Sequence, residues 1–342
     1  MQYRSCHWIN IASINFNGRV DTNEKFIAFC CEPIYGIPAI AFSDTAEETA
    51  KAFLQLQEDM IETSKTKGEA LCEGCASCTH YQMGDHKQAD GKIHYINMSM
   101  YPAPCQSNCF YCGFNQRGDT KYKKTEEAGR GYNKLFGMLE YYKNTNLIAE
   151  DAAWQVSTGE ISIHPYKDRI MDLVGTYKTE FRTNCFKFDE RIAANLKANP
   201  KSFINLSIDA GTPETWKKIK GFDNFYEVTD NLVEYRMNCT TPEQITLKYI
   251  MLPGYNDNLT DFNAVVEIMN ILDVPQLTLS RNMGSKYNVS VEERGALLTV
   301  TTYLAAVLKK NNKGLIFHHG YMPEEQKFVT DNVDNLIAQG KI

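Results

Sequence analysis

At 342 residues, with 43% hydrophobic and 23% charged residues, the chain has the composition of a globular protein with a sizeable core, in one large domain or two smaller ones. A net charge of −6 without a basic block argues against a nucleic-acid backbone as partner. The longest apolar run, near Phe26 to Phe42, is broken by Glu32, Pro33 and Pro38, which argues against a membrane span, and Met1-Gln-Tyr-Arg-Ser lacks the apolar core of an export signal.

Eleven cysteines without such a signal point to a cytosolic protein whose thiols ligate metal rather than form disulfides. The amino-terminal stretch, Met1 to about Lys92, reads differently from the rest. Trp8 to Phe16 alternates as a strand does, Asn17-Gly18 is a turn signal, and a second strand is expected over Lys25 to Cys31. Ala46, Ala50, Phe53, Leu56 and Met60 recur at helical spacing and predict a helix from Thr45 to Lys67, opened by the capping pair Thr45 and Glu48. Cys72, Cys75 and Cys78 follow at C-x2-C-x2-C spacing, and the polar stretch Gln82 to Lys92 reads as a linker.

From His94 onward strands and helices alternate. Strands are expected over Tyr95–Tyr101, Ala152–Ser157, Glu180–Asn184, Phe203–Asp209, Ile245–Leu252 and Leu277–Arg281. The helices between them run Thr125–Lys143, Pro165–Thr176, Asp189–Ala198, Pro213–Lys220 with Tyr226–Met237, and Asp261–Leu272, and Val291–Lys310 follows the last strand. Such β–α repetition predicts an α/β fold with a parallel sheet and right-handed crossovers. A strand over Gly314–His318 and a helix over Pro323–Ala338 form a tail. The expected division is residues 1–92, 93–285 and 286–342.

Between the first strand and helix of this series lie Cys105, Cys109 and Cys112, at C-x3-C-x2-C spacing. Three thiolates this close can hold three corners of a four-iron cluster and leave one iron open for chemistry; a structural zinc site would want a fourth ligand. With the aromatic Tyr111 just before the last cysteine, the stretch resembles the signature of the radical S-adenosylmethionine (SAM) superfamily. The resemblance covers roughly His94 to Arg281. It implies a partial TIM barrel of six β–α units and a 4Fe-4S cluster whose open iron chelates SAM. An external flavodoxin- or ferredoxin-like reductant would bring one electron, splitting SAM to a 5′-deoxyadenosyl radical that takes a hydrogen atom from substrate.

In parallel barrels functional groups sit at the C-terminal strand ends. After the second strand comes Ser157-Thr158-Gly159-Glu160, which resembles the family's Gly-Gly-Glu motif. The resemblance implies that Thr158 and Gly159 contact the SAM amino group through backbone, and that Glu160 offers it a carboxylate. Thr183-Asn184-Cys185 ends the third strand where relatives tend to have glycine; Cys185 is a candidate hydrogen-atom donor or redox group, with a small inert residue as the alternative. Ser207-Ile-Asp209-Ala-Gly-Thr212-Pro-Glu214, continuing to Lys220-Gly221, resembles the signature of members with extra clusters. It implies Ser207 at the SAM carboxylate or ribose, and Lys220 where an arginine commonly meets the carboxylate; lysine keeps the charge but loses the fork. The same residues also read as a capped helix start. Leu252 is the candidate against the adenine, and Arg281-Asn282 ends the sixth strand, for a substrate anion or an ordinary ion pair.

Cys6, Asn17-Gly18, Cys30-Cys31 and Cys72-x2-Cys75-x2-Cys78 follow the order of SPASM or twitch modules, here ahead of the barrel. This implies one auxiliary 4Fe-4S cluster, with Cys72, Cys75 and Cys78 joined by Cys30 or Cys31 and Cys6 in reserve; zinc is the alternative, since a C-x2-C pair serves it equally. The expected function is a radical SAM enzyme acting on a peptide or protein side chain, a sugar or an alcohol, with the second cluster moving electrons or holding substrate. The alternatives are a redox-neutral epimerase or mutase, and a non-catalytic iron–sulfur or zinc-binding protein.

Overall fold

The computed structural model describes residues 4–16, 27–30, 38–67, 71, 73–76, 78, 81–84, 90–99, 104–112, 125–157, 159–282, 291–318 and 320–342; the expected turn at Asn17-Gly18 lies outside them. By its internal contacts the chain divides into two units, Met1–Pro104 with Lys121–Arg182, and Cys105–Thr120 with Thr183–Ile342.

The first unit contains β1 (Arg4–Cys6), α1 (His7–Asn10), β2 (Ile14–Phe16), β3 (Ile27–Ala28), β4 (Ala39–Ile40), α2 (Ala46–Lys67), α3 (Glu73–Ala76), β5 (Tyr81–Met83), β6 (Ile93–Ser99), α4 (Thr125–Asn144), β7 (Ile148–Ser157), α5 (Lys167–Val174) and β8 (Lys178–Arg182). β6, β7 and β8 pair in parallel, Asn97 facing Gln155 and Gln155 facing Glu180. β2 joins the free side of β6 in parallel, and β3 and β4 continue antiparallel from it. The amino-terminal hairpin is thus a sheet extension.

α2 opens as its sequence requires: the Glu48 amide donates to Thr45 Oγ1 at 3.1 Å and the Thr45 amide to Glu48 Oε2 at 3.3 Å. Its apolar face buries Ala50, Phe53 and Met60, and Phe53 stacks on Phe29 with ring centroids 4.2 Å apart. The expected strand over Trp8–Phe16 forms only from Ile14. Before it, Ile11 N donates to His7 O at 3.1 Å and Ala12 N to Ile9 O at 3.0 Å. Gln57 of α2 donates from Nε2 to Ile9 O at 2.5 Å. Local bonds and one long-range amide take the carbonyls that a strand ladder would have used. The expected linker contributes Gln82 and Met83 to β5, which pairs antiparallel with β1.

The second unit contains α6 (Glu190–Ala198), β9 (Phe203–Ser207), α7 (Pro213–Lys220), α8 (Phe225–Asn238), β10 (Ile245–Met251), α9 (Leu259–Ile271), β11 (Gln276–Arg281), α10 (Val291–Lys310), β12 (Gly314–Phe317) and α11 (Pro323–Ala338). β9, β10, β11 and β12 lie side by side in parallel, with Leu206, Leu247, Leu277 and Leu315 in one row. The tail therefore supplies another parallel strand, and α10 and α11 close on Ala305, Ala306, Val329 and Val333. The order of elements and the parallel pairings inside each unit are those of the expected α/β fold, a partial TIM barrel. Among the described residues no helix is long and apolar enough to cross a membrane.

One close approach fixes the turn from β9 into α7. Asp261, in the first turn of α9 and only 2% exposed, accepts from Gly211 N at 2.8 Å, Thr212 N at 3.0 Å and Thr215 Oγ1 at 2.7 Å. A Cβ at Gly211 would stand 2.2 Å from Asp261 O and 2.8 Å from Ala264 Cβ. Gly211→Ala is therefore expected to lower stability in urea by about 3 kcal/mol, the upper end for overpacking. Gly295→Ala on α10, where a Cβ meets nothing within 4 Å, is expected to be neutral or to stabilise by up to about 1 kcal/mol; equal effects at both sites would refute this account.

Candidate functional site

The cysteine-bearing loop is seated on the C-terminal end of α7. Asn108 N donates to Lys220 O at 3.0 Å and Phe110 N to Ile219 O at 3.3 Å, so the loop takes up two carbonyls that the helix end leaves without an internal partner. Gly221 ends the helix in the left-handed region at φ 75°. A Cβ there would lie 3.0 Å from Asn108 Cβ, so glycine is what lets the loop approach. Cys105 is exposed and Cys109 and Cys112 are half-buried. Polar groups reach two of the sulfurs: Asn184 Nδ2 donates to Cys105 Sγ at 3.6 Å, and Ser107 Oγ and Cys109 Sγ share a hydrogen bond at 2.9 Å.

A buried charge network underlies this loop. Lys220 donates to Asp209 Oδ2 at 2.6 Å, Ser207 O at 2.7 Å and Tyr111 Oη at 3.0 Å. Tyr111 in turn donates to Asp209 Oδ2 at 2.5 Å. The side chains of Lys220 and Asp209 are 5% and 0% exposed. Burial pulls the Lys220 ammonium down, but the Asp209 carboxylate and the Cys109 and Cys105 sulfurs more than offset it, and it is held above the ordinary lysine value. Burial, with Asp209 and Cys109 adding to it, pushes the Tyr111 phenol far up.

Asp209 is held from the other side as well. Its Oδ1 accepts from Ile250 N at 2.7 Å, and its carbonyl from Asn256 Nδ2 at 2.8 Å. Asn256, fully buried, also receives Leu252 N on Oδ1 at 2.8 Å and donates to Ile250 O at 2.8 Å. Neither Asp209 nor Asn256 was singled out for a role from sequence. The signals available were the aspartate of the Ser-x-Asp motif and the asparagine in the Pro-Gly turn. Leu252 is 3% exposed. Cys185 has no exposed surface and sits at φ 55°, its carbonyl accepting from Asn231 Nδ2 at 2.8 Å. Arg281 turns to α11: its guanidinium lies 3.0 Å from Glu325 Oε1, which Arg294 also pairs, and stands over the Tyr321 ring. That is the ordinary ion pair of the two readings.

In the first unit, Glu160 is fully buried. Its amide donates to Pro104 O at 2.7 Å, just before Cys105, and its Oε1 accepts from Ser162 N at 3.0 Å. Gly159 takes φ 67°; Thr158 lies outside the described residues, as do Cys31 and Cys72. His164 packs on Tyr132 and Tyr166 and accepts from Tyr166 N on Nδ1 at 3.2 Å. Its Nε2 is buried without a partner, and burial pushes its pKa down to about 4.

The pairing of β1 with β5 sets Cys6 opposite Tyr81, and Tyr81 N bonds Cys78 O while Cys78 N bonds Cys75 O, both at 3.2 Å. Burial pushes the Cys6 thiol up, backbone N–H groups of Ile9 and Trp8 oppose it, and Cys78 is near enough to add to the rise. The sheet thus brings Cys6 to the C-x2-C pair; Cys30, half-buried, follows β3. Among the described residues no three His, Cys, Asp or Glu side chains are placed to hold a single metal ion. Around Cys105 and Cys109 the donor chemistry fits an iron–sulfur cluster: thiols with an amide and a hydroxyl aimed at sulfur, backed by a buried cation.

Residues 103–262 match the family model described as the radical SAM superfamily. The fold is similar to that of SuiB from Streptococcus suis, solved with S-adenosylmethionine, at 11% identity and a TM-score of 0.48 over 83% of this chain and 58% of that one. It is similar also to a radical SAM methyltransferase from Sphaerobacter thermophilus, at 12% identity and a TM-score of 0.43 over 64% of this chain and 66% of that one. This chain thus spans 58% of the length of SuiB. No curated protein matches the sequence.

His164 gives the site region a pH dependence of stability. Its folded pKa of about 4 lies below the ordinary histidine value of about 6.5, so the unfolded chain takes up a proton first as pH falls. The contribution is fully present above about pH 6.5 and is lost toward pH 4. Wild type is expected to lose about 3 kcal/mol more than His164→Phe between pH 7 and 4 in urea titrations. Parallel losses in both proteins would refute the assignment.

Proposed function

We propose that the chain is a radical SAM enzyme in which Cys105, Cys109 and Cys112 hold a 4Fe-4S cluster at an exposed loop. The observation that carries this reading is the loop itself, within the stretch that matches the radical SAM family model, with hydrogen-bonding groups at two of its sulfurs. When bound, the cluster and SAM supply the one-electron chemistry that generates a 5′-deoxyadenosyl radical. The chain's own residues bind and orient. Glu160 offers a carboxylate to the SAM ammonium, with the backbone of Thr158 and Gly159 beside it, Ser207 serves the carboxylate or ribose, and Leu252 faces the adenine. Tyr111, whose hydroxyl is already committed to Asp209, contributes through its position in the loop. The fully enclosed Cys185 is a small core residue at a left-handed turn, not a hydrogen donor.

The substrate is of a class that yields a hydrogen atom from carbon: a peptide or protein side chain, a sugar or an alcohol. An external one-electron donor of the flavodoxin or ferredoxin kind reduces the site. A second cluster in the amino-terminal segment is supported by the β1–β5 register that sets Cys6 opposite Tyr81, whose amide bonds Cys78 O; its ligands are Cys72, Cys75 and Cys78 with one of Cys30, Cys31 and Cys6.

With SAM and dithionite under argon, the reconstituted protein is expected to release 5′-deoxyadenosine. The Cys105/Cys109/Cys112 triple alanine variant is expected to release none while keeping its far-UV circular dichroism. That variant should also retain about four irons and four sulfides, the complement of the second cluster. Deoxyadenosine at the wild-type rate from the variant would overturn the first assignment, and zinc or no metal in it the second. Separately, Glu160→Gln is expected to weaken SAM binding by about 1–3 kcal/mol, the worth of a hydrogen bond to a charged group; equilibrium dialysis giving an unchanged Kd would remove Glu160 from the site.

A further inference from the structure

The observed partners of Lys220 differ from those that resemblance assigns to it. An ammonium has three N–H donors and no acceptor. All three are used within the protein, on Asp209 Oδ2, Ser207 O and Tyr111 Oη. A SAM carboxylate would have to displace one of these at a nitrogen whose side chain is 5% exposed. Removing a charge pair from water costs several kcal/mol per ion unless each remaining lone pair and proton finds a partner. Here they do: Asp209 takes Lys220 and Tyr111 on one oxygen and Ile250 N on the other.

The network is built into the cysteine loop. Tyr111 stands between Cys109 and Cys112, and α7, which ends at Lys220, carries the loop's backbone on its last carbonyls. Lys220 also interacts electrostatically with the sulfurs of Cys109 and Cys105. Adding an electron to a cluster adds a negative charge, which a fixed cation nearby stabilises and a fixed carboxylate opposes.

We propose that Lys220 and Asp209 are positioning residues of the cluster site, holding the cysteine loop and setting the cluster's reduction potential, and that Lys220 does not anchor the SAM carboxylate. This rests on the reading of Cys105, Cys109 and Cys112 as cluster ligands.

The test is an anaerobic redox titration of the reconstituted full chain, following the EPR signal that changes when SAM is added. Wild type is compared with Lys220→Met, Asp209→Asn and the double variant, and SAM affinity is measured on each. Lys220→Met leaves a carboxylate beside the cluster, and its midpoint is expected below wild type. Asp209→Asn leaves a cation, and its midpoint is expected above. The double variant, with neither buried charge, is expected between the two and keeps the comparison open should Lys220→Met lose its cluster, with Asp209→Asn then expected above the double variant. SAM affinity in Lys220→Met, or in the double variant if the single one fails, is expected within threefold of wild type. Midpoints that coincide in all cluster-bearing proteins would overturn the proposal, as would a tenfold or greater loss of SAM affinity on removing the lysine. A wild-type chain that assembles no four-iron cluster would instead bring down the underlying reading, and this proposal with it.

Discussion

The ion pair of Lys220 with Asp209 is the constraint on which the second unit's functional end depends. Breaking such a pair by removing one partner typically costs about 3–5 kcal/mol, because the remaining charge stays buried. That cost ties together residues far apart in sequence. Asp209 follows β9, Lys220 ends α7, Ile250 lies on β10, and Tyr111 belongs to the cysteine loop. Asn256 then locks the end of β10 to the carbonyl of Asp209. The cysteine loop gains rigidity from this arrangement.

The strand ends share a second feature. Gly159, Cys185 and Asp209 all take positive φ, at 67°, 55° and 50°. Each follows a parallel strand and turns the chain out of the extended conformation where functional groups collect. For cysteine and aspartate this conformation carries a cost of roughly 1–2 kcal/mol, which local bonds offset. Thr183 Oγ1 accepts from the Cys185 amide and Asn231 donates to its carbonyl, while Asp209 is bonded through both side chain and backbone. A glycine would take this conformation without that cost. A thiol there reads as a tolerated side chain in a glycine-like turn.

Both ends of the chain are drawn into sheets. β2 pairs in parallel with β6, and β12 with β11. Charge follows the same path at the carboxyl end, where Glu325 of α11 holds both Arg281 and Arg294. A tail with no evident role in the sequence thereby covers the last strand and neutralises an arginine that would otherwise end it unpaired. Edge strands with open hydrogen bonds invite unwanted pairing, and extra strands at each end move that edge away from the core β–α series.

Local chemistry was legible in the amino-acid sequence. The helices Pro213–Lys220, Val291–Lys310 and Pro323–Ala338 have the bounds expected of them, because caps, proline at the first turn and apolar periodicity act over a few residues. The alternation of strand and helix, and so the α/β class, follows from the same short-range rules, and the C-x3-C-x2-C spacing is a property of one loop. Partner choice was not legible. Whether Lys220 meets a ligand or Asp209, whether Arg281 meets a substrate or Glu325, and which cysteine lies beside Cys78 all depend on segments tens of residues away. Trp8–Ile11 fails as a strand for a related reason: Gln57, on another element, takes the Ile9 carbonyl. A buried polar group must find a partner, and the sequence states only that the need exists; the packing of distant segments decides which partner satisfies it.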